Sequence, residues 1–148
     1  MFGAVLERYA AGPACYVAEA LGKLTAREVA EHLLKGAADL QASSRNPGGC
    51  LTVSGAIASG DEGDPVRQAL NAHRTAGVAL LRRRFEQARA QRDLPKDSDP
   101  AALARFVATV IYGMAVLASG GASRKELEQV IRTAMKAWPA PSRADDRI

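Results

Sequence analysis

The chain has 148 residues, of which 47% are hydrophobic, 24% charged and 5% aromatic, and its formal net charge is +4. That length fits one ordinary domain, the apolar fraction excludes a disordered chain, and the absence of a short repeat excludes a fibre. Arginine supplies 15 of the 20 cations and alanine 30 of the residues, a bias that suits a GC-rich genome as well as any function, so net charge alone argues weakly for a nucleic-acid partner.

Helix signals dominate from the start. Phe2, Val5, Leu6, Tyr9, Pro13, Tyr16, Val17, Ala20 and Leu24 recur at spacings of three and four, one apolar stripe that runs through Gly12-Pro13. Proline removes a backbone hydrogen bond there, so the spacing predicts a broken helix over residues 2–22. Thr25-Ala26-Arg27-Glu28 has the form of a capping box, in which each side chain satisfies a backbone N–H of the other. Behind it Ala26, Val29, Ala30, Leu33, Leu34, Ala37 and Leu40 gather on one face, with Glu28, Glu31, His32, Lys35 and Asp39 opposite. The loop Ser43 to Gly49 follows, and then Cys50 to Ala58, whose β-branched residues find no partner strand and are read as a short buried helix. Asp64-Pro65 supplies an N-cap with proline in the first turn, opening a long helix Val66–Arg92 that stops at Asp93-Leu94-Pro95. Asp99-Pro100 repeats the device before a helix Ala101–Ala118, and Gly120-Gly121 ends that helix. Ser123 and Glu126 form a second capping box, the last helix runs to about Trp138, and residues 140–148 are a polar tail. The expectation is a single all-α domain over 1–139.

The helix Ala101–Ala118 is apolar nearly all round and must be covered on every side. Leu103, Phe106, Val107, Val110, Met114 and Leu117 make a stripe of large side chains. Ala101, Ala104, Ala108, Ile111, Ala115 and Ala118 make one of mostly small ones. Either the helix is central, or its small face meets a second subunit. The last helix adds Leu127, Val130, Ile131, Ala134 and Trp138 at helical spacing. Two such helices from each of two copies would form an intersubunit four-helix bundle, with Ala104, Ala108, Ile111 and Ala115 on the seam. A homodimer is expected.

The long helix carries Arg67, Arg74, Arg82, Arg83, Arg84, Arg89 and Arg92 against Glu86 alone. Its apolar side is Val66, Leu70, Gly77, Leu81, Phe85 and Ala88. Arg82, Arg83 and Arg89 fall outside or at the edge of that sector, Arg84 lies inside it but near the end, where it can snorkel, and Arg74 lies in its middle. A buried guanidinium is costly unless paired, so Arg74 is either a structural ion pair, a side chain bent to the surface, or the partner of an anionic or carbonyl-bearing ligand. No Ser/His/Asp set, phosphate loop or inward Glu-x-x-His pair stands out, so neither catalytic residues nor a metal or other cofactor are expected. Cys15 and Cys50 fit no disulfide or CxxC pattern and read as reduced thiols of a cytoplasmic protein. No apolar run approaches the roughly 20 residues of a membrane span, the N-terminus lacks a signal peptide, and no membrane partner is expected.

Several stretches together resemble the TetR/AcrR family of bacterial regulators. They are Arg45-Asn46-Pro47-Gly48-Gly49-Cys50-Leu51, Asp64-Pro65-Val66-Arg67, and Arg82 to Arg92 ending in Asp93-Leu94-Pro95. Asp97 to Arg105, Gly113-Met114-Ala115-Val116 and Gly120 to Leu127 continue the series. Phe2 and Val5 to Tyr9 are similar to the end of that family's interdomain helix. The resemblance implies the family's C-terminal ligand-sensing and dimerisation bundle. Nothing in the chain resembles a recognition helix preceded by a tight turn, so DNA would be reached only through a helix-turn-helix domain that this chain lacks. The implied pocket for a small, mostly apolar effector lies among the first helices, the segment from Cys50 and the long helix. Its apolar walls would be Leu33, Ala37, Val53, Ile57, Leu81, Phe85, Phe106 and Val110, and its polar groups Arg74, Tyr112, Tyr16, Ser54 and Cys50. The alternatives are a stand-alone helical small-molecule-binding or interaction protein and a nucleic-acid binder using the arginine-rich helix.

Overall fold

In the computed structural model the described residues are 2–12, 15–45 and 64–141, and they form six helices and no strand. These are α1 (Phe2–Ala11), α2 (Tyr16–Leu21), α3 (Ala26–Gln41), α4 (Pro65–Ala90), α5 (Pro100–Ser119) and α6 (Arg124–Lys136). The expected short helix from Cys50 and the end of the polar tail lie outside the described residues.

The local signals decide the boundaries. The first helix ends at Ala11, just before Gly12-Pro13, and α2 resumes at Tyr16. Both capping boxes form, Thr25 with Glu28 and Ser123 with Glu126. Asp64 Oδ1 accepts from Val66 N at 2.9 Å, and Asp99 Oδ1 accepts from Ala101 N and Ala102 N. Each aspartate is followed by proline at the first helical position, whose missing N–H is no loss there. Gly121 takes φ 98° beyond α5, the left-handed conformation that ends helices.

At the end of α4 the left-handed residue is Arg92, with φ 65°. This turn brings Asp93 N onto Ala88 O at 2.9 Å and aims the Asp93 carboxylate at Ala26 N, the first donor of α3. A negative charge at a helix N-terminus is favourable. Arg84 makes a second tie to the same region, its Nη2 donating to Lys23 O at 2.8 Å and Leu24 O at 3.1 Å, its Nε to Leu21 O at 3.3 Å. It does not snorkel to solvent as expected. The loop between α2 and α3 offers a cluster of carbonyls within reach, and the guanidinium stays there.

The packing is centred on α3 and α5. Helices α2, α5 and α6 pack on α3, α4 packs on α5, and α1 touches α4. The core gathers Leu33, Leu34, Leu81, Phe85, Leu94, Met114, Leu127 and Trp138 with a large set of alanines. Phe85 meets Trp138 edge to face, with ring centres 5.3 Å apart. On α2, Tyr16 lies so close to α3 that a Cβ at Gly36 would fall 2.9 Å or less from three of its carbons. Helix α5 is long and apolar enough to cross a membrane by length and composition, contrary to the expectation from the sequence. Here it packs against α3, α4 and α6 and carries Arg105 in its first turns.

Helix α5 buries side chains of both stripes, Val107 and Met114 from the large one as well as alanines from the small one. The small side chains Ala104 and Ala115 are buried, as are Ala108 and Ala118, whereas Thr109, Gly113, Val116 and Leu117 are exposed. Leu127, Ile131 and Ala134 of α6, and Trp138 just beyond its end, are likewise buried in the chain's own core. Alanines at a crossing let helices approach closely, and the chain spends its small face on its own core.

Candidate functional site

Between helices α4 and α5 lies a groove of about 370 Å³, lined by Arg74, Thr75, Val78, Ala79 and Arg82 from α4 and by Ala101, Arg105 and Tyr112 from α5. The five α4 positions cover a little over two turns of one flank. Arg105 and Tyr112 stand about two turns apart on α5 and project to the same side.

Arg74 and Tyr112, two of the sequence candidates, meet here. The Arg74 guanidinium carbon sits 5.9 Å from the Tyr112 ring centre, within the range of a cation–π contact. Its Nη2 also donates to Asn71 Oδ1, which fixes the orientation of the planar group. Arg82 donates to Glu86 at 2.8 Å. Arg105 has no carboxylate partner among the described residues. Val78, Ala79 and Ala101 make an apolar floor. A concave surface with such a floor and a few oriented polar groups has the make-up of a small-molecule site.

The other candidates lie elsewhere. Leu33, Ala37, Leu81 and Phe85 are buried in the core, and Phe106 and Val110 are half-buried against it; none of them lines the groove. Tyr16 is half-buried between α2 and α3. Cys50, Val53, Ser54 and Ile57 lie outside the described residues. Of the dimer candidates, Ile111 and Val130 keep some exposed surface. Cys15 is exposed and unpaired by disulfide, and among the described residues no cluster of three His, Cys, Asp or Glu groups could hold a metal ion.

Two polar residues were missed. Arg105 is the only charged residue between Pro100 and Ser119, a signal in itself, since a lone cation on an apolar helix needs either water or a partner. Gln41 is 2% exposed, with Nε2 donating to Ile111 O at 3.1 Å and Oε1 unpartnered among the described residues. Its spacing four residues after Ala37 continues the apolar stripe of α3, which could have revealed it.

Comparison with known proteins agrees with the helical architecture. Residues 27–137, α3 through α6, match the family described as tetracyclin repressor-like, C-terminal domain. Among curated proteins the chain is 26% identical over 97 residues to the HTH-type transcriptional repressor ComR of Escherichia coli (strain K12), a match covering 66% of this chain and 46% of that protein. It therefore spans about half the length of that relative. Among solved structures it is similar, with TM-score 0.85 and 35% identity, to a cysteine-substituted TetR family transcriptional regulator CifR complexed with 26-bp operator DNA, covering 93% of this chain and 73% of that one. A TetR transcriptional regulator from Rhodococcus sp. RHA1 superposes with TM-score 0.75 and 32% identity, covering 94% and 74% of the two chains.

Proposed function

This chain belongs to the tetracyclin repressor-like C-terminal domain family, and from that premise we propose that it is the effector-sensing and dimerisation part of a bacterial transcriptional repressor working in the cytoplasm. The observation that carries the reading is the family match across α3 to α6, supported by relatives that are themselves transcriptional regulators. In this role the bundle binds a small molecule, and the bound state alters how two operator-binding domains are spaced. The ligand acts through its difference in affinity for the two spacings. Operator DNA is contacted by a helix-turn-helix domain and not by these helices.

The dimer is built on the exposed side of α5, where Val116 and Leu117 are each about half exposed and a Cβ added at Gly113 would point into open space. Large apolar side chains in contact with water beside a glycine offer a self-complementary surface for a two-fold pairing. Light scattering tests this directly. The unmodified chain is expected at twice its 15.6 kDa mass, and Leu117→Glu or Gly113→Glu is expected to give a helical monomer. A chain that remains monomeric at tens of micromolar, where a stable interface of roughly 1,200–2,000 Å² would hold it together, overturns the reading.

A further inference from the structure

The groove between α4 and α5 gathers three arginines, Arg74, Arg82 and Arg105, on one surface. Three arginines of the described helices are paired with a glutamate one turn on: Arg27 with Glu31, Arg82 with Glu86 and Arg124 with Glu128. Arg74 and Arg105 are not. The residues three and four away from Arg74 are Leu70, Asn71, Gly77 and Val78, and those around Arg105 are Ala101, Ala102, Ala108 and Thr109. None is a carboxylate. Two guanidinium groups therefore share one concave surface with Arg82, and Glu86 offsets only one of the three charges. Like charges placed together favour the arrival of an anion.

We propose that this groove binds a small organic carboxylate, its charge held by Arg74 and Arg105 and its apolar part laid on Val78, Ala101 and the Tyr112 ring. The inference deepens the effector-sensing reading and rests on it for its biological meaning. Guanidinium forks match the two oxygens of a carboxylate better than a point charge does. Arg74 is already oriented by Asn71 and Tyr112, so less side-chain freedom is lost on binding. The apolar floor selects against inorganic anions, which gain nothing from it.

The test is an NMR titration of the full chain with benzoate, cyclohexanecarboxylate, the neutral isostere benzamide and inorganic phosphate. Both carboxylates are expected to shift the amide signals of Arg74, Val78, Arg105 and Tyr112 in a saturable way, with benzamide and phosphate weaker by about tenfold or more. Arg74→Gln and Arg105→Gln are each expected to weaken benzoate roughly tenfold, the scale of one charge-assisted hydrogen bond. Arg83→Gln, on an exposed part of α4 outside the groove, is expected to leave it unchanged. Phosphate binding as well as benzoate, or Arg83→Gln weakening as much as Arg105→Gln, overturns the proposal in favour of general charge attraction. Random-sequence DNA shifting the groove signals where benzoate does not overturns it in favour of a nucleic-acid face. Absence of benzoate binding in a chain that is dimeric removes the groove ligand and leaves the sensing role intact. A monomer that binds benzoate does the reverse.

Discussion

Gly36 and Gly77 are both glycines inside helices, and what a methyl group would meet separates them. At Gly77 nothing lies within 4 Å, whereas at Gly36 the Tyr16 ring already occupies the space. Alanine in a helix is worth up to about 1 kcal/mol over glycine, so Gly77→Ala is expected to raise stability by about 0.5–1 kcal/mol. At Gly36 overpacking of about 1–3 kcal/mol outweighs that gain, and Gly36→Ala is expected to lower stability and loosen α2 from α3. Urea denaturation of the two variants measures both signs. Arg92 is the converse case, a side chain where glycine would be at ease. Its left-handed backbone costs about 1–2 kcal/mol, part of which glycine would return through its freer unfolded chain. Arg92→Gly is expected to stabilise the protein by about 0.5 kcal/mol, read in the same experiment. Gln41 marks what single residues conceal. One amide in an apolar stripe reads as a helix end, and only the arrival of Ile111 O from another helix shows why it is buried.

Helix ends were legible because their chemistry is local. Thr25 with Glu28, Asp64-Pro65, Asp99-Pro100 and Ser123 with Glu126 each satisfy donors within three residues, so the boundaries need no knowledge of the fold. Which side of a helix faces inward is not local. Helix α5 is apolar nearly all round, and which of its side chains are buried depends on α3, far away in sequence, as well as on α4 and α6 beside it. The groove shares that property. Arg74 stood out inside the apolar sector of α4, but Arg105 and Tyr112 join it only because α5 lies alongside. The cap of α6 carries its own pH dependence. Glu126 has its pKa lowered, first by the Ser123 backbone N–H at 2.7 Å and then by the Ser123 hydroxyl. A lowered folded-state value means that this contribution is present above the unfolded value near 4.5 and is lost as pH falls below it. Exchange protection of the first turn of α6 is expected to fall across that range, and Glu126→Gln is expected to flatten the response.

Across the whole molecule, the two ends of the bundle are joined to the centre by different means. Helix α6 is held by apolar burial around Trp138, whereas the turn between α2 and α3 is held by Arg84 of α4 and by Asp93 in the turn that follows it. Arg84→Met removes three donated hydrogen bonds to carbonyls that can partly regain water. A loss of about 1–3 kcal/mol is expected, with hydrogen exchange at residues 22–25 rising more than at α6. A uniform rise across both regions would show that the tie is not local.

The acceptors in that tie are backbone oxygens, and every amino acid carries one. Lys23 and Leu24, both exposed, can therefore change identity over evolutionary time without disturbing the grip, provided the turn keeps its path. Leu24, 87% exposed, is especially free to drift. Arg84 has no such latitude, because a lysine ammonium on a single stem cannot present donors along the same fork. An arginine that persists opposite a hypervariable turn is the signature to look for among relatives of this bundle, a conserved hand holding an interchangeable partner.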